Sequence, residues 1–401
     1  MKSSTASQMR AWTGPAILSF GFRPLFLLAA LWAMIAMVLW IGMLAGLVSL
    51  PTAFDPVTWH THEFLFGYLS AVIAGFLLTA VPNWTGRLPV VGWSLAWLAA
   101  LWVIGRIAIA TSLYLPALGV ALADLAFLCV LWGVVLREII AGKNWRNLPV
   151  LILVGMLVVA NITFHIEAAS GSASHGYGLR FGLALSIILI SLIGGKIIPS
   201  FTRNWLVKQG ATDLPTPPMQ RFDKATLVVT VLALLAWALA PMQPLAGAAL
   251  LIMGGLHLMR MMRWQGVQTS ADSLVWVLHI AYLCVPLGAI CVALSILAPS
   301  IIGQALALHI WTAGAIGLMT VAVMTRASLG HSGRALVGGR STTFIYLALI
   351  GAVVLRVLAD VVFVIRIPLL DASALLWILG FAGFVGIYGP MLLSAKIEKT
   401  A

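Results

Sequence analysis

Apolar residues run in long stretches, broken by short clusters of proline, glycine and charge. A helix needs about 20 such residues to cross roughly 30 Å of hydrocarbon. Stretches of that length fall near 25–48, 62–82, 90–112, 117–137, 148–168, 180–199, 225–241, 245–262, 274–297, 301–325, 343–365 and 372–395. The breaks at 51–56, 82–89, 116, 142–149, 171–178, 215–218, 299 and 330–339 carry the turn-forming residues. The shortest break, 241–244, holds two prolines and reads as a tight hairpin. The pattern predicts an all-α polytopic membrane protein of twelve transmembrane helices, a single integral membrane domain over 1–401.

Composition agrees. Hydrophobic residues make up 62% of the 401 residues and charged residues 8%, against about 45–50% and about 25% in soluble domains. That excludes an ordinary soluble enzyme and a disordered chain. The net charge of +12 suggests nucleic acid until its placement is examined. With twelve spans, 19 of the 23 lysines and arginines fall on one side, and only Arg106, Arg180, Arg356 and Arg366 do not. The side rich in positive charge is the cytoplasmic one. Both termini are therefore expected in the cytoplasm, in the inner membrane of a bacterium, and no nucleic-acid role is needed. The polar N-terminus, with Lys2 and Arg10, lacks a removable signal peptide pattern, so the first span is expected to direct insertion. Cys129, Cys284 and Cys291 lie in apolar runs without paired spacing and read as small core residues.

Two spans resemble each other. The second carries His62, then Gly67, and ends in Thr85-Gly86-Arg87; the tenth carries His309, then Gly314, and ends in Ser332-Gly333-Arg334. The following helices carry Arg106 and Arg356. A looser match, Pro199 to Thr202 with Pro82 to Thr85, extends the comparison to the sixth span. Three blocks of four helices are expected, near 25–137, 148–263 and 274–395.

Ionisable residues inside spans are costly and are usually paired or functional. By the expected orientation His60, His62, Glu63, Asn161, His165, Glu167, His309, Arg106, Arg356 and Asp360 lie toward the outer face. His175 is in an outer loop beside Arg180. His257 and His279 lie in inner parts of their spans, and His331 in an inner loop. Neutral imidazoles ligate haem iron or copper without importing charge, and arginines suit haem propionates. His60 and His62 cannot both face one metal if both are helical, unless His60 precedes the helix. The plainer reading of a lone membrane histidine is an interhelical hydrogen bond, and His257, beside Arg260, reads equally as interfacial. Zinc-protease spacing, a Walker loop and a nucleophile elbow are absent. Gly194-Gly195-Lys196 ends a membrane helix and precedes no phosphate-binding helix.

Several long motifs are similar to the NnrS family. They are Gly21-Phe22-Arg23-Pro24, Trp59-His60-Thr61-His62-Glu63, the stretch from Ala74 to Arg87, the stretch from Gly194 to Trp205, and the stretch from Met324 to Arg334, which contains His331. The resemblance covers nearly the whole chain. It implies a bacterial inner-membrane protein with haem and copper, tied to denitrification and nitric oxide resistance. The catalytic subunits of haem–copper oxidases and respiratory nitric oxide reductases offer an architectural analogy. They too have twelve helices in three blocks, with a low-spin haem held from helices two and ten. The departure is helix seven, which supplies a metal-binding histidine pair there and has no histidine here.

The leading expectation is a membrane oxidoreductase that binds and reduces nitric oxide, with one or two haem b groups and copper. Its axial ligands would be His62 (or His60) and His309, with Arg106 and Arg356 on propionates. His165, with Glu63 or Glu167, would serve a second metal or deliver protons; His175 is a further candidate ligand. His279 and His257 would hold an inner haem or metal. Electrons would come from quinol or a carrier protein, because no flavin or nicotinamide motif is present. Two other classes stay open: a secondary transporter or metal exporter, whose buried arginines would bind an anionic substrate, and a haem-based sensor or scaffold.

Overall fold

The structure, a computed structural model, describes residues 12–85 and 90–396. Lys2, Arg10, Lys399 and the Gly86-Arg87 end of the second-span motif lie outside the described residues. Twelve helices are long and apolar enough to cross a membrane: α1 (Phe22–Leu44), α2 (Pro56–Pro82), α3 (Trp93–Ala110), α4 (Ala117–Ala141), α5 (Trp145–Ala169), α6 (Tyr177–Lys208), α7 (Arg221–Leu239), α8 (Pro244–Met262), α9 (Ser273–Leu297), α10 (Gln304–His331), α11 (Arg340–Ala359) and α12 (Phe363–Leu393). No strand occurs among the described residues. Helices satisfy their own backbone groups, which lipid cannot do for them. The chain is a multi-pass membrane protein.

The helix ends explain where the pattern misled. α2 starts at Pro56 because Asp55 caps it, accepting from Val57 N at 3.0 Å and Thr58 N at 3.1 Å. His60 is therefore inside the helix, not before it. Burial pushes the Asp55 carboxyl up, but the Thr58 hydroxyl and the Thr58 and Val57 N–H groups outweigh that and hold it below 3.8. Asp272 caps α9 through Leu274 N at 2.9 Å; there burial wins and raises the carboxyl. α7 opens with a reciprocal cap between Gln220 and Asp223. α6 and α10 outrun their apolar stretches, so His331 is the last residue of a helix and not part of a loop. α11 stops at Ala359, short of the expected 365, because the apolar run Val361 to Ile365 passes through the turn and hides it.

The chain divides into two compact units. The first comprises Met1–Gly182, Ala327–Ala335 and Phe384–Ala401. In it α1 packs on α2, α2 and α3 on α4, and α4 on α5. Arg23, 1% exposed, donates to Leu392 O at 2.9 Å and to Ser394 O, closing the end of α12 against the start of α1. The second unit comprises Leu183–Arg326 and Leu336–Gly383. There α7 packs on α8, α8 on α9, and α9 and α11 on α10.

Two helices share an irregularity. α2 turns π-helical over Glu63–Tyr68, and α10 over Ile310–Leu318. Each π segment begins at the residue after the expected ligand, His62 or His309. A π turn widens the helix and frees backbone groups, and such turns are frequent at functional sites. In α2 the carbonyl of Gly67 is taken up by Trp102 Nε1 and Ser70 Oγ, both at 2.9 Å.

Candidate metal centre

Four helices of the first unit bring six polar side chains together. His62 and Glu63 come from α2, Arg106 from α3, Asp124 from α4, and Asn161 and His165 from α5. Asp124 is the hub. Its Oδ2 faces His62 Nε2 at 3.1 Å, His165 Nε2 at 3.0 Å and Asn161 Nδ2 at 2.7 Å. Its Oδ1 accepts from Arg106 Nη2. Arg106 Nη1 reaches Glu63 Oε1 at 2.6 Å, and the same oxygen lies 3.0 Å from His62 Nδ1.

Small residues and aromatic rings make this possible. At Gly105 the backbone of α4 comes so near that an added Cβ would lie 3.1 Å from the Asp124 Cα. At Gly67 it would lie 2.5 Å from Arg106 Nη1 and 2.9 Å from Glu63 Oε2. Phe54, Phe66 and Phe164 surround the His62 ring with centroids 5.3–5.7 Å away. His62, Glu63 and Asn161 have no exposed surface. Two carboxylates thus face one guanidinium in a dry place, and with neutral imidazoles one negative charge is left over. A proton on His62 or a metal ion supplies the balance. Glu63 Oε2 and Trp32 Nε1, an acceptor and a donor beside Gly67, are buried without hydrogen-bond partners.

The donor set suits a metal. His62, Asp124 and His165 each offer a ligand atom, all within 4.8 Å of one another. Asp124 was missed in the sequence. Its signal was nevertheless plain: a lone carboxylate in the apolar run Ala121-Leu122-Ala123-Asp124-Leu125-Ala126.

The remaining candidates are placed as follows. His60 stacks on Trp40, ring centroids 4.4 Å apart. Neither ring nitrogen of His62 faces open space as an axial haem ligand's would; each meets a carboxylate. Both terminal nitrogens of Arg106 are likewise engaged by carboxylates, not presented to a propionate. Glu167 accepts from Tyr177 N at 2.6 Å and Gly178 N at 2.9 Å, tying down the start of α6. His175 is exposed.

In the second unit His309 Nδ1 lies 2.7 Å from Ala305 O, so Nδ1 carries the hydrogen and Nε2 keeps a lone pair. That is the orientation a haem or metal ligand takes. His62 and His309 belong to different units. Arg356 pairs with Asp360 at 2.8 Å, as their spacing predicts, and Arg366 joins at 3.2 Å.

The inner histidines are in hydrogen-bond chains whose direction can be read. Thr230 donates to Thr226 O at 2.7 Å, so His257 Nε2, 2.8 Å away, must donate to Thr230. Arg260 Nη1 donates to the Tyr282 hydroxyl at 2.9 Å, and that hydroxyl gives its proton to His257 Nδ1 at 3.0 Å. Arg260 itself is held by Asp223 at 2.8 Å. His279 Nε2 meets the Thr202 hydroxyl at 2.8 Å, and Thr202 donates to Ile198 O. His331 lies against Phe20 and Phe22 in the first unit.

Twelve apolar helices and a buried cluster of imidazoles and carboxylates define an integral membrane protein with a site of metal-binding character. The chain belongs to the NnrS protein family, whose model matches residues 16–396. No relative was found among the curated proteins. Membership agrees with the resemblance read from the motifs and with a haem-associated membrane protein connected to nitric oxide.

Proposed function

We propose that this protein binds nitric oxide and reduces it within the membrane, limiting nitrosative stress during denitrification. The observation that carries the reading is the buried cluster centred on Asp124. It gathers two imidazoles and two buried carboxylates in an apolar medium, where a small neutral gas concentrates. Reduction of two nitric oxide molecules to nitrous oxide and water consumes two protons and two electrons. The electrons come from quinol or a carrier protein.

His309 fits a haem ligand, because Ala305 O orients its ring and leaves Nε2 for iron. When bound, haem supplies one-electron chemistry. Glu63, one oxygen bonded and the other without a partner, is placed to pass protons beside His62. The termini face the cytoplasm of a bacterial inner membrane by the placement of positive charge. The transporter reading is less well supported: Arg106, Arg260 and Arg356 each already face a carboxylate, which leaves little charge for an anionic substrate.

The test uses purified protein produced with haem available. Oxidised and dithionite-reduced spectra should show a haem Soret band, and His309→Ala should diminish and shift it. Nitric oxide should disappear at an electrode when reductant is supplied. A chain without a Soret band, or with haem but no nitric oxide consumption, would end this reading.

A further inference from the structure

An ion-pair network around Arg106 needs only Glu63 and Asp124. The structure contains more than that. Two imidazoles from different helices aim their Nε2 atoms at one oxygen of Asp124, an oxygen already bonded by Asn161. Such convergence is what an ion requires. In a four-coordinate site, imidazole nitrogen and carboxylate oxygen sit about 2.0–2.2 Å from a first-row metal, which separates neighbouring ligands by roughly 3.3–3.6 Å. His62 Nε2 and His165 Nε2 lie 3.1 and 3.0 Å from Asp124 Oδ2. Small side-chain rotations therefore open the triad enough to admit an ion.

The surroundings are also those of a metal site. A ligating histidine ordinarily gives its other ring nitrogen to a carboxylate or carbonyl. Glu63 Oε1 lies 3.0 Å from His62 Nδ1 and does this for His62. Arg106 holds the other Asp124 oxygen. The surplus negative charge of two carboxylates against one guanidinium favours a cation. Glu63 Oε2, fully buried and unpartnered, lies beside Gly67.

We propose that His62, Asp124 and His165 hold one divalent first-row transition-metal ion, outside any haem, with Glu63 orienting His62. Two imidazoles and one carboxylate select zinc, iron, cobalt or copper over magnesium and calcium, which take oxygen ligands. The site lies wholly within the first unit and does not depend on the nitric oxide reading.

The full-length protein in detergent, stripped with chelator, is titrated with cobalt(II) and separately with zinc. Bound metal is counted by plasma mass spectrometry, and cobalt coordination is followed by its visible ligand-field bands. One equivalent per chain is expected. Asp124→Asn and His165→Gln should each weaken uptake by at least about tenfold, and Glu63→Gln by about 10–100-fold with altered cobalt bands. Gly255→Ala, in the second unit, should bind as the parent does. Should Asp124→Asn not fold, His165→Gln, at the edge of the cluster, decides. No stoichiometric uptake by the parent, or unchanged uptake in well-folded His165→Gln, overturns the proposal. Metal uptake without nitric oxide consumption supports this site and sinks the reductase reading. Consumption by a protein that takes up neither ion does the reverse.

Discussion

His62 Nε2 and Asp124 Oδ2 stand 3.1 Å apart across 62 residues of sequence. This contact joins α2 to α4 in the interior of the first unit. It also makes His62 a member of a buried polar cluster. Arg106, from the intervening helix, then bridges Asp124 to Glu63, so three helices depend on one another's charges.

The two arginines that follow the matching histidines should behave differently when removed. Arg106→Ala leaves Glu63 and Asp124 buried without a guanidinium and should cost about 3–5 kcal/mol. Arg356→Ala leaves Asp360 paired with Arg366, and about 1 kcal/mol or less is expected. Thermal unfolding of both variants in one detergent should show the large loss only at Arg106.

Gly67 is required by what approaches it. In Gly67→Ala the new methyl group meets Arg106 Nη1 and Glu63 Oε2. The displaced pair should lower stability by about 1–3 kcal/mol. Gly255→Ala, where a Cβ meets nothing within 4 Å, should unfold at the parent's temperature or above it.

His257 should prove structural. Tyr282→Phe removes the hydroxyl that donates to its Nδ1, and Thr230→Val removes the acceptor of its Nε2–H. Each leaves a buried polar atom unsatisfied, at about 1–3 kcal/mol. Both variants should keep the parent's haem and metal content. A Tyr282→Phe protein of full stability would contradict the hydrogen-bond chain.

The two capping aspartates carry opposite pH signatures. Asp55 is held below 3.8, so its stabilising contribution is present at neutral pH and is lost as pH falls through its depressed value. Asp55→Ala should cost about 1 kcal/mol at pH 7, and the difference should shrink in acid. Asp272 is raised above 3.8, so its charged form is a penalty at neutral pH, relieved as pH falls through the raised value. Asp272→Asn keeps a capping side chain and should raise the unfolding midpoint at pH 7. That gain should fade toward pH 4. Melting curves over about pH 2–7 separate the two, the Asp272 effect fading above about pH 4 and the Asp55 effect below it.

Hydropathy predicted twelve spans because lipid imposes a length on every helix, whatever its neighbours. It placed helix ends poorly where apolar residues run through a turn, as at Val361 to Ile365. The site was partly legible. His62, Glu63, Arg106 and His165 stood out as ionisable residues in apolar runs, and the structure gathers all four. Asp124, their hub, carries the same signal but matches no motif and no repeat. What spacing along one helix cannot convey is which histidine finds a carboxylate on another helix. His60 and His62, two residues apart, illustrate this: one stacks on Trp40 and the other reaches Asp124.

Arg23, near the beginning of the chain, binds carbonyls at Leu392 and Ser394, near its end. During synthesis the first helix enters the bilayer long before its partner exists. Until the ribosome has released the last turn of α12, the Arg23 guanidinium must be held by water, lipid phosphate or an insertion chaperone. The first unit is thus a clasp that closes only after the last of the twelve spans has been made.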